Sequence, residues 1–249
     1  MAGRLEGKIA IVTGASTGIG SATARLMVTE GAQVLAADIK PAGDDLAAAL
    51  KKHKSKLRFA ILDIRKEESW AASLADCVKA FGKPNILVNN AGALGSGKPV
   101  HLEIAEAMTA AFESNVIGMF LGMKTVVPGM IELGGGAIVN VSSVWGWSGV
   151  ANNAAYQTAK GAAVMLSKNA GVTYAPHNIR VNCLLPGYVD TPMSRGVTPD
   201  EAKMLIKFTP LGRRAEPHEI APMIAFLCSD EASFVAAGNF MVDGGMAAI

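Results

Sequence analysis

Short runs of apolar, often β-branched residues recur along the chain, at 9–13 (IAIVT), 34–38 (VLAAD), 57–63 (LRFAILD), 86–89 (ILVN), 137–141 (AIVNV) and 179–185 (IRVNCLL). Each is almost continuously apolar rather than alternating, as a strand covered on both faces requires. A shorter run at 240–242 reads as a closing edge strand. Between strands, Trp70, Leu74, Val78 and Phe81 fall on one face of a helix. Strands alternating with helices of roughly 10–15 residues predict βαβ units. The expected fold is a doubly wound α/β Rossmann-type parallel sheet of about seven strands, with helices on both faces. No internal repeat or Pro/Ser-rich linker interrupts the rhythm, so residues 1–249 read as one domain. Only 187–217 departs from it, with Thr191, Pro192, Met193, Pro199, Pro210 and Arg213 around a short helical pattern at Met204, Leu205 and Phe208. A long insertion of this kind in a compact domain predicts a lid.

Composition narrows the function. The 249 residues are 50% hydrophobic and 18% charged, the opposite of a disordered chain and enough to bury a sizeable core. A net charge of +2 offers no electrostatic case for nucleic acid, and the densest basic run, 51–56 (KKHKSK), reads as a solvated helix end. The longest uncharged stretch, 133–159, is broken by glycines, asparagines and serines, so no membrane span is expected there. The early apolar run 9–12 follows Glu6 and is a strand, not a signal segment. Cys77, Cys183 and Cys228 lie far apart, as do His53, His101, His177 and His218. That spacing predicts reduced core thiols in a cytoplasmic protein and no protein-ligated metal.

Directly after the first strand comes Thr13-Gly14-Ala15-Ser16-Thr17-Gly18-Ile19-Gly20, then a helical stretch. Gly14 allows a sharp turn off the strand, Gly18 lets backbone approach a phosphate, and Gly20 permits close helix–sheet packing. The helix start offers unpaired N–H groups and a positive dipole end to a pyrophosphate; a purely structural tight turn is the competing reading. The Gly-x-x-x-Gly-x-Gly spacing lacks the lysine that a nucleotide triphosphate loop places after its last glycine. Asp38, ending the second strand, is placed to accept hydrogen bonds from an adenosine ribose and to repel a 2′-phosphate. With no arginine at Ser16 or Thr17, NAD is the expected cofactor, although Lys40 lies two residues on. Asp63 could meet an adenine edge or cap the helix before Arg65.

Tyr156 and Lys160 stand four apart in a helical stretch, on one face. An ammonium ~4 Å from a phenol at an effective dielectric of ~20 stabilises the phenolate by ~4 kcal/mol before desolvation, or ~3 pKa units. That shift would suit general acid–base work. Ser143, just past the fifth strand, is placed to hold a carbonyl or alcohol oxygen, and Ser142 competes for the role, since adjacent strand residues face opposite ways. Asn115, inside an apolar helical run, either holds a water in a proton relay or makes a structural hydrogen bond to a neighbouring strand.

Together these motifs resemble the classical short-chain dehydrogenases/reductases over essentially the whole chain. The matching residues are TGASTGIG at 13–20, Asp38, Asp63, NNAG at 89–92, Asn115, Ser143, YQTAK at 156–160, Pro186-Gly187 with Thr191, and VDGG at 242–245. The resemblance implies a Tyr156 acid/base, a Lys160 that lowers its pKa and binds the nicotinamide ribose, a Ser143 that holds the reacting oxygen and an Asn115 relay. It places Asn90, with Ala91 and Gly92, beside the cofactor, along with Ile64 after Asp63. Pro186, Gly187, Val189 and Thr191 would meet the nicotinamide. It further implies an NAD-dependent alcohol/ketone oxidoreductase and a homotetramer. An NADP-dependent ketoacyl-thioester reductase or a non-catalytic dinucleotide-binding regulator are the alternatives.

Pocket candidates are Leu94, Ser96, Trp145, Trp147, Tyr188, Met193, Met204, Leu205 and Phe208, a set that suits an apolar, cyclic substrate. Ala154, Ala155, Ala159, Ala162 and Ala163 give the helix of Tyr156 a small-residue surface, for pairing between subunits or for lying close on its own sheet.

Overall fold

A computed structural model of the chain describes residues 3–248, leaving residues 1, 2 and 249 of the expected domain outside the described residues. Seven strands form where the apolar runs fall: β1 (Ile9–Thr13), β2 (Gln33–Asp38), β3 (Leu57–Ile61), β4 (Ile86–Asn89), β5 (Gly136–Val141), β6 (Ile179–Pro186) and β7 (Asn239–Val242). They pair in the order β3-β2-β1-β4-β5-β6-β7, every pair parallel. Successive side chains divide between two cores, which is why the runs are apolar throughout. Ala10, Val12, Val34, Ala36, Val88 and Val139 face one core; Ile11, Leu35, Leu87 and Ile138 face the other. Helices α1 (Gly18–Thr29), α2 (Asp44–Lys52) and α8 (Pro217–Cys228) cover the first face. The second is covered by α3 (Glu67–Ala80), α5 (Gly118–Glu132) and α6 (Ala154–Tyr174), with α4 (Ala105–Phe112) packed on α6.

Several boundaries differ from the sequence pattern. The third strand ends at Ile61, two residues short of 57–63. In α3, Trp70 is fully buried, but Val78 is 42% exposed. The buried face runs through Trp70, Ser73 and Cys77, leaving Val78 on the rim of a groove toward α5. Gly122 makes room for Trp70, because a Cβ there would lie 2.7 Å from the indole ring. The continuous helical run Ala105–Glu132 is long and apolar enough to cross a membrane, yet half of its most apolar window is buried against the rest of the fold. Of the small residues on α6, Ala155 and Ala159 pack toward Ala111 of α4, and Ala163 faces the sheet-side core. Within the chain, then, the stripe serves close internal packing.

The expected break at 187–217 contains structure of its own. Val189 and Ala215 form an isolated parallel bridge, and α7 (Pro199–Lys207) is opened by a capping box between Thr198 and Glu201. Phe208 falls just beyond its end, and none of the α7 residues is buried. All three cysteines are buried and free, their thiols pushed up by desolvation to about 12, 11 and 12 for Cys77, Cys183 and Cys228. Such thiols are inert. Among the described residues no three His, Cys, Asp or Glu side chains gather as metal ligands would.

Strand order reverses between β1 and β4, and at such a switch point an open α/β sheet presents its crevice at the carboxyl ends of the strands. Thr13, Asp38, Asn89 and Pro186 end their strands there, with Ser142 and Ser143 following β5 directly.

Candidate active site

The turn after β1 is shaped by what cannot fit. Gly14 (φ +63°) and Gly18 (φ +57°) hold left-handed backbone. A Cβ at Gly14 would lie 2.8 Å from Ala91 Cα, and one at Gly18 would lie 3.0 Å from Thr191 Cγ2. At Gly20 it would collide with the Gly14 carbonyl. No side chain caps α1 at Thr17 and its first turn holds no acid, so its leading N–H groups remain free for an anion. The cradle therefore fits a dinucleotide pyrophosphate.

Asp38 braces this turn: Oδ2 accepts from the Ser16 N–H (3.0 Å) and Oδ1 from the Lys40 N–H (3.0 Å). Buried Ser16 donates its hydroxyl to the Lys40 and Pro41 carbonyls, which commits it to the loop. Thr17 is exposed and Ile19 half-buried. Asp63 grips Arg65 through two side-chain bonds of 2.9 and 2.8 Å, and that guanidinium holds its carboxyl below the usual range. It does not cap α3, whose N-cap is Lys66; the aspartate closes a local turn instead. Ile64 packs on Gly118, and its carbonyl accepts from the Trp70 indole.

At the end of β4, Asn90 donates to the Thr13 and Gly14 carbonyls (3.0 and 3.2 Å), fastening the glycine turn to the centre of the sheet. The Thr13 hydroxyl, which the sequence reading passed over, accepts from the N–H groups of Asn90 and Ala91. Asn115 lies in a π-helical turn, Glu113–Ile117, between α4 and α5, rather than in regular helix. Its amide donates to the Ala93 and Ala111 carbonyls and its Oδ1 accepts from the Ala93 N–H, so its partners are a loop and a helix, not a strand. A Cβ on Gly92 would lie 2.5 Å from Asn115 Oδ1 and 3.4 Å from Lys160 Nζ. Those two side chains thus approach each other across Gly92.

The two serines separate by face. Ser142 Oγ donates to the Lys160 carbonyl (2.8 Å), pinning α6 to the strand end. Ser143 faces the Tyr156 phenol and pulls its pKa down, but burial outweighs it and pushes the phenol above its ordinary range. Lys160 Nζ donates to the Val141 carbonyl (3.0 Å) and stands 5.7 Å from the Tyr156 ring centre. Desolvation lowers its pKa to about 8. This corrects the expectation of a phenol drawn down by a neighbouring ammonium. Tyr156 and Lys160 are 8% and 5% exposed, and each is penalised for carrying charge. Asn152 (φ 54°) and Asn153 (φ 98°) bend the chain immediately before α6. An Asn-Asn pair ahead of a helix was the available sign of that bend.

Pro186 ends β6, Gly187 donates to the Val242 carbonyl, Val189 is buried and Thr191 rests on Gly18. The pocket candidates scatter more. Leu94, Met193, Met204 and Phe208 are exposed, while Trp145, Tyr188 and Leu205 are half-buried. Ser96 is bound to Glu103, and Trp147 turns outward over Lys168, with Nζ 5.6 Å from its ring. Tyr188 lines a cavity of about 190 Å³ with Thr209, Arg213 and Val242. A groove of about 620 Å³ along α3 and Lys124 holds none of the predicted site residues.

A parallel Rossmann-type sheet with a glycine cradle and a serine, tyrosine and lysine at one edge defines the class, and comparison with known proteins agrees. The family model described as "Enoyl-(Acyl carrier protein) reductase" matches residues 14–247, and the chain belongs to the short-chain dehydrogenase/reductase family of oxidoreductases, which use nicotinamide dinucleotides. It is 40% identical over 242 residues, 97% of each chain, to cis-4-hydroxycyclohexanecarboxylate dehydrogenase of Sinomonas cyclohexanicum. It is 38% identical, over 99% of each chain, to cyclopentanol dehydrogenase of Comamonas sp. (strain NCIMB 9872). The crystal structure of levodione reductase superposes with a TM-score of 0.91 at 32% identity, covering 98% of this chain and 99% of that one.

Proposed function

We propose that the protein is an NAD(H)-dependent oxidoreductase that interconverts a cyclic secondary alcohol and its ketone, with Tyr156 as general acid/base. The observation that carries this reading is the convergence of Ser143, Tyr156, Lys160 and Asn115 on the edge that holds the glycine cradle. A bound nicotinamide dinucleotide supplies the hydride donor or acceptor.

Residues 14–20, Asp38, Asp63-Ile64 and 90–92 hold its adenosine and pyrophosphate side, while Pro186, Gly187, Val189 and Thr191 hold the nicotinamide end beside Tyr156 and Lys160. The Asp38 oxygens, each accepting one backbone N–H, keep lone pairs for ribose hydroxyls and repel a 2′-phosphate. Ser143 orients the substrate oxygen, and Tyr156 gives it a proton in reduction or takes one in oxidation. The raised phenol favours the proton-donating role at neutral pH. Lys160 holds positive charge beneath the ring, and Asn115, facing it across Gly92, continues the proton path.

The two dehydrogenase relatives named above act on ring alcohols, and apolar Leu94, Met193, Met204, Leu205 and Phe208 suit a ring. Exposed apolar Ile117, Phe120, Met165 and Val172 on the α5–α6 side support association into a homotetramer. Inert buried thiols suit a cytoplasmic protein. Initial rates on cyclic and linear secondary alcohols, each with NAD+ and NADP+, test the reading. Turnover of cyclic alcohols with NAD+ preferred supports it; preference for NADP+ or for acyl thioesters overturns it.

A further inference from the structure

The segment that leaves the sheet at Gly187 and runs to the start of α8 is closed at its base by one carboxylate. Asp190, with a side chain only 11% exposed, receives Arg195 Nε on Oδ1 and Arg214 Nη2 on Oδ2, both at 3.0 Å. Backbone bonds at the same point join the two ends of the segment, Asp190 N–H to the Ala215 carbonyl (2.8 Å) and Ala215 N–H to the Tyr188 carbonyl (2.9 Å). The two arginines are not equivalent. Arg214 follows Arg213, which is tied by two bonds of 2.7 and 2.8 Å to Glu219 in the first turn of α8, so it stands on the rigid side. Arg195 belongs to the short turn Ser194–Gly196 that leads into α7, and its side chain is 66% exposed.

No α7 residue is buried, so burial does little to hold α7 itself; the segment is anchored where Thr209 is buried and Leu211 N–H bonds the Gly244 carbonyl, and at its base. Asp190 also lies between Val189 and Thr191, and Thr191 rests against Gly18 of the cradle. We propose that Asp190 is a positioning residue, and that the Arg195–Asp190–Arg214 clasp holds the 191–213 segment down over the crevice and so sets substrate affinity. The inference rests on the proposed alcohol/ketone site beneath the segment. It assigns Asp190 no contact with reacting atoms.

Kinetics of wild type, Asp190→Asn and Arg195→Gln at about 0.05 and 0.5 M salt, with trypsin cleavage at the exposed Lys203 and Lys207 followed in parallel, test it. KM for the alcohol is expected to rise about three- to tenfold in either variant, with kcat within about twofold. Because the arginine arms are exposed, salt raises the wild-type KM toward the variant values and leaves that of Asp190→Asn, which lacks both ion pairs, level, a response that a purely structural role would not give. Segment cleavage is expected several-fold faster in both variants. Unchanged KM and cleavage overturn the proposal, as does a fall in kcat at constant KM. If wild type turns over no alcohol, the proposed function fails separately; faster cleavage of the variants then still supports the clasp, and equal cleavage overturns it.

Discussion

Replacing Lys160 with methionine should stabilise the protein while removing its activity. Folding places this ammonium in a site only 5% exposed and lowers its pKa from 10.5 to about 8. At about 1.4 kcal/mol per unit, the buried charge costs about 3 kcal/mol wherever both folded and unfolded chains hold the proton, that is, below pH 8. The folded value lies below the unfolded one, so between them the unfolded chain binds more protons. Stability owed to this group therefore rises from pH 8 toward 10.5. Methionine removes the penalty but strands the Val141 carbonyl that Nζ serves, at about 1–2 kcal/mol. The net gain at pH 7 is about 1–2 kcal/mol, and it vanishes or reverses near pH 10. Urea denaturation of both proteins at matched pH values measures this difference. Cys77 and Cys228, whose raised pKa values destabilise the fold at alkaline pH without any contribution from Lys160, cancel in the subtraction. A stability difference that does not change between pH 7 and 10 would refute the reasoning.

Three further outcomes follow from the same geometry. Gly92→Ala puts a methyl 2.5 Å from Asn115 Oδ1, so kcat should fall at least about tenfold while circular dichroism stays native. Ser143→Ala should lower kcat by about 10²-fold with little change in Tm, whereas Ser142→Ala should mainly cost about 1 kcal/mol by releasing the Lys160 carbonyl; steady-state rates and thermal melts of the pair separate the roles. Asp38→Ala should reduce the NAD-over-NADP preference in kcat/KM about tenfold or more, measured with both cofactors on one alcohol.

The sheet was legible because strands covered on both faces are written as unbroken apolar runs, and β1 and β4 match them residue for residue. The glycine turn was legible because steric demands leave glycine as the residue that fits. Side-chain commitments were less so. Sequence placed Asp63 at either a cap or a ligand edge, but Arg65, two residues on, captures it. Asn115 reads as helical because the π turn lies inside the continuous helical run Ala105–Glu132, and residues 116–123 are apolar all round, which hides the shift from one inserted residue. The Tyr156 shift was misjudged because the Coulomb argument omitted burial of both partners, the larger influence on each. Asp190 carried no motif at all, since its meaning depends on Arg195 and Arg214 meeting it in space.

The claim that Tyr156 is the proton carrier is tested most directly by Tyr156→Phe, which keeps the ring and deletes only the hydroxyl. Turnover of a cyclic alcohol and NADH affinity, read from protein fluorescence, are measured on the same preparation. The account predicts a loss of at least about 10³-fold in kcat with NADH binding within about twofold of wild type. A variant that turns over at near wild-type rate would contradict it.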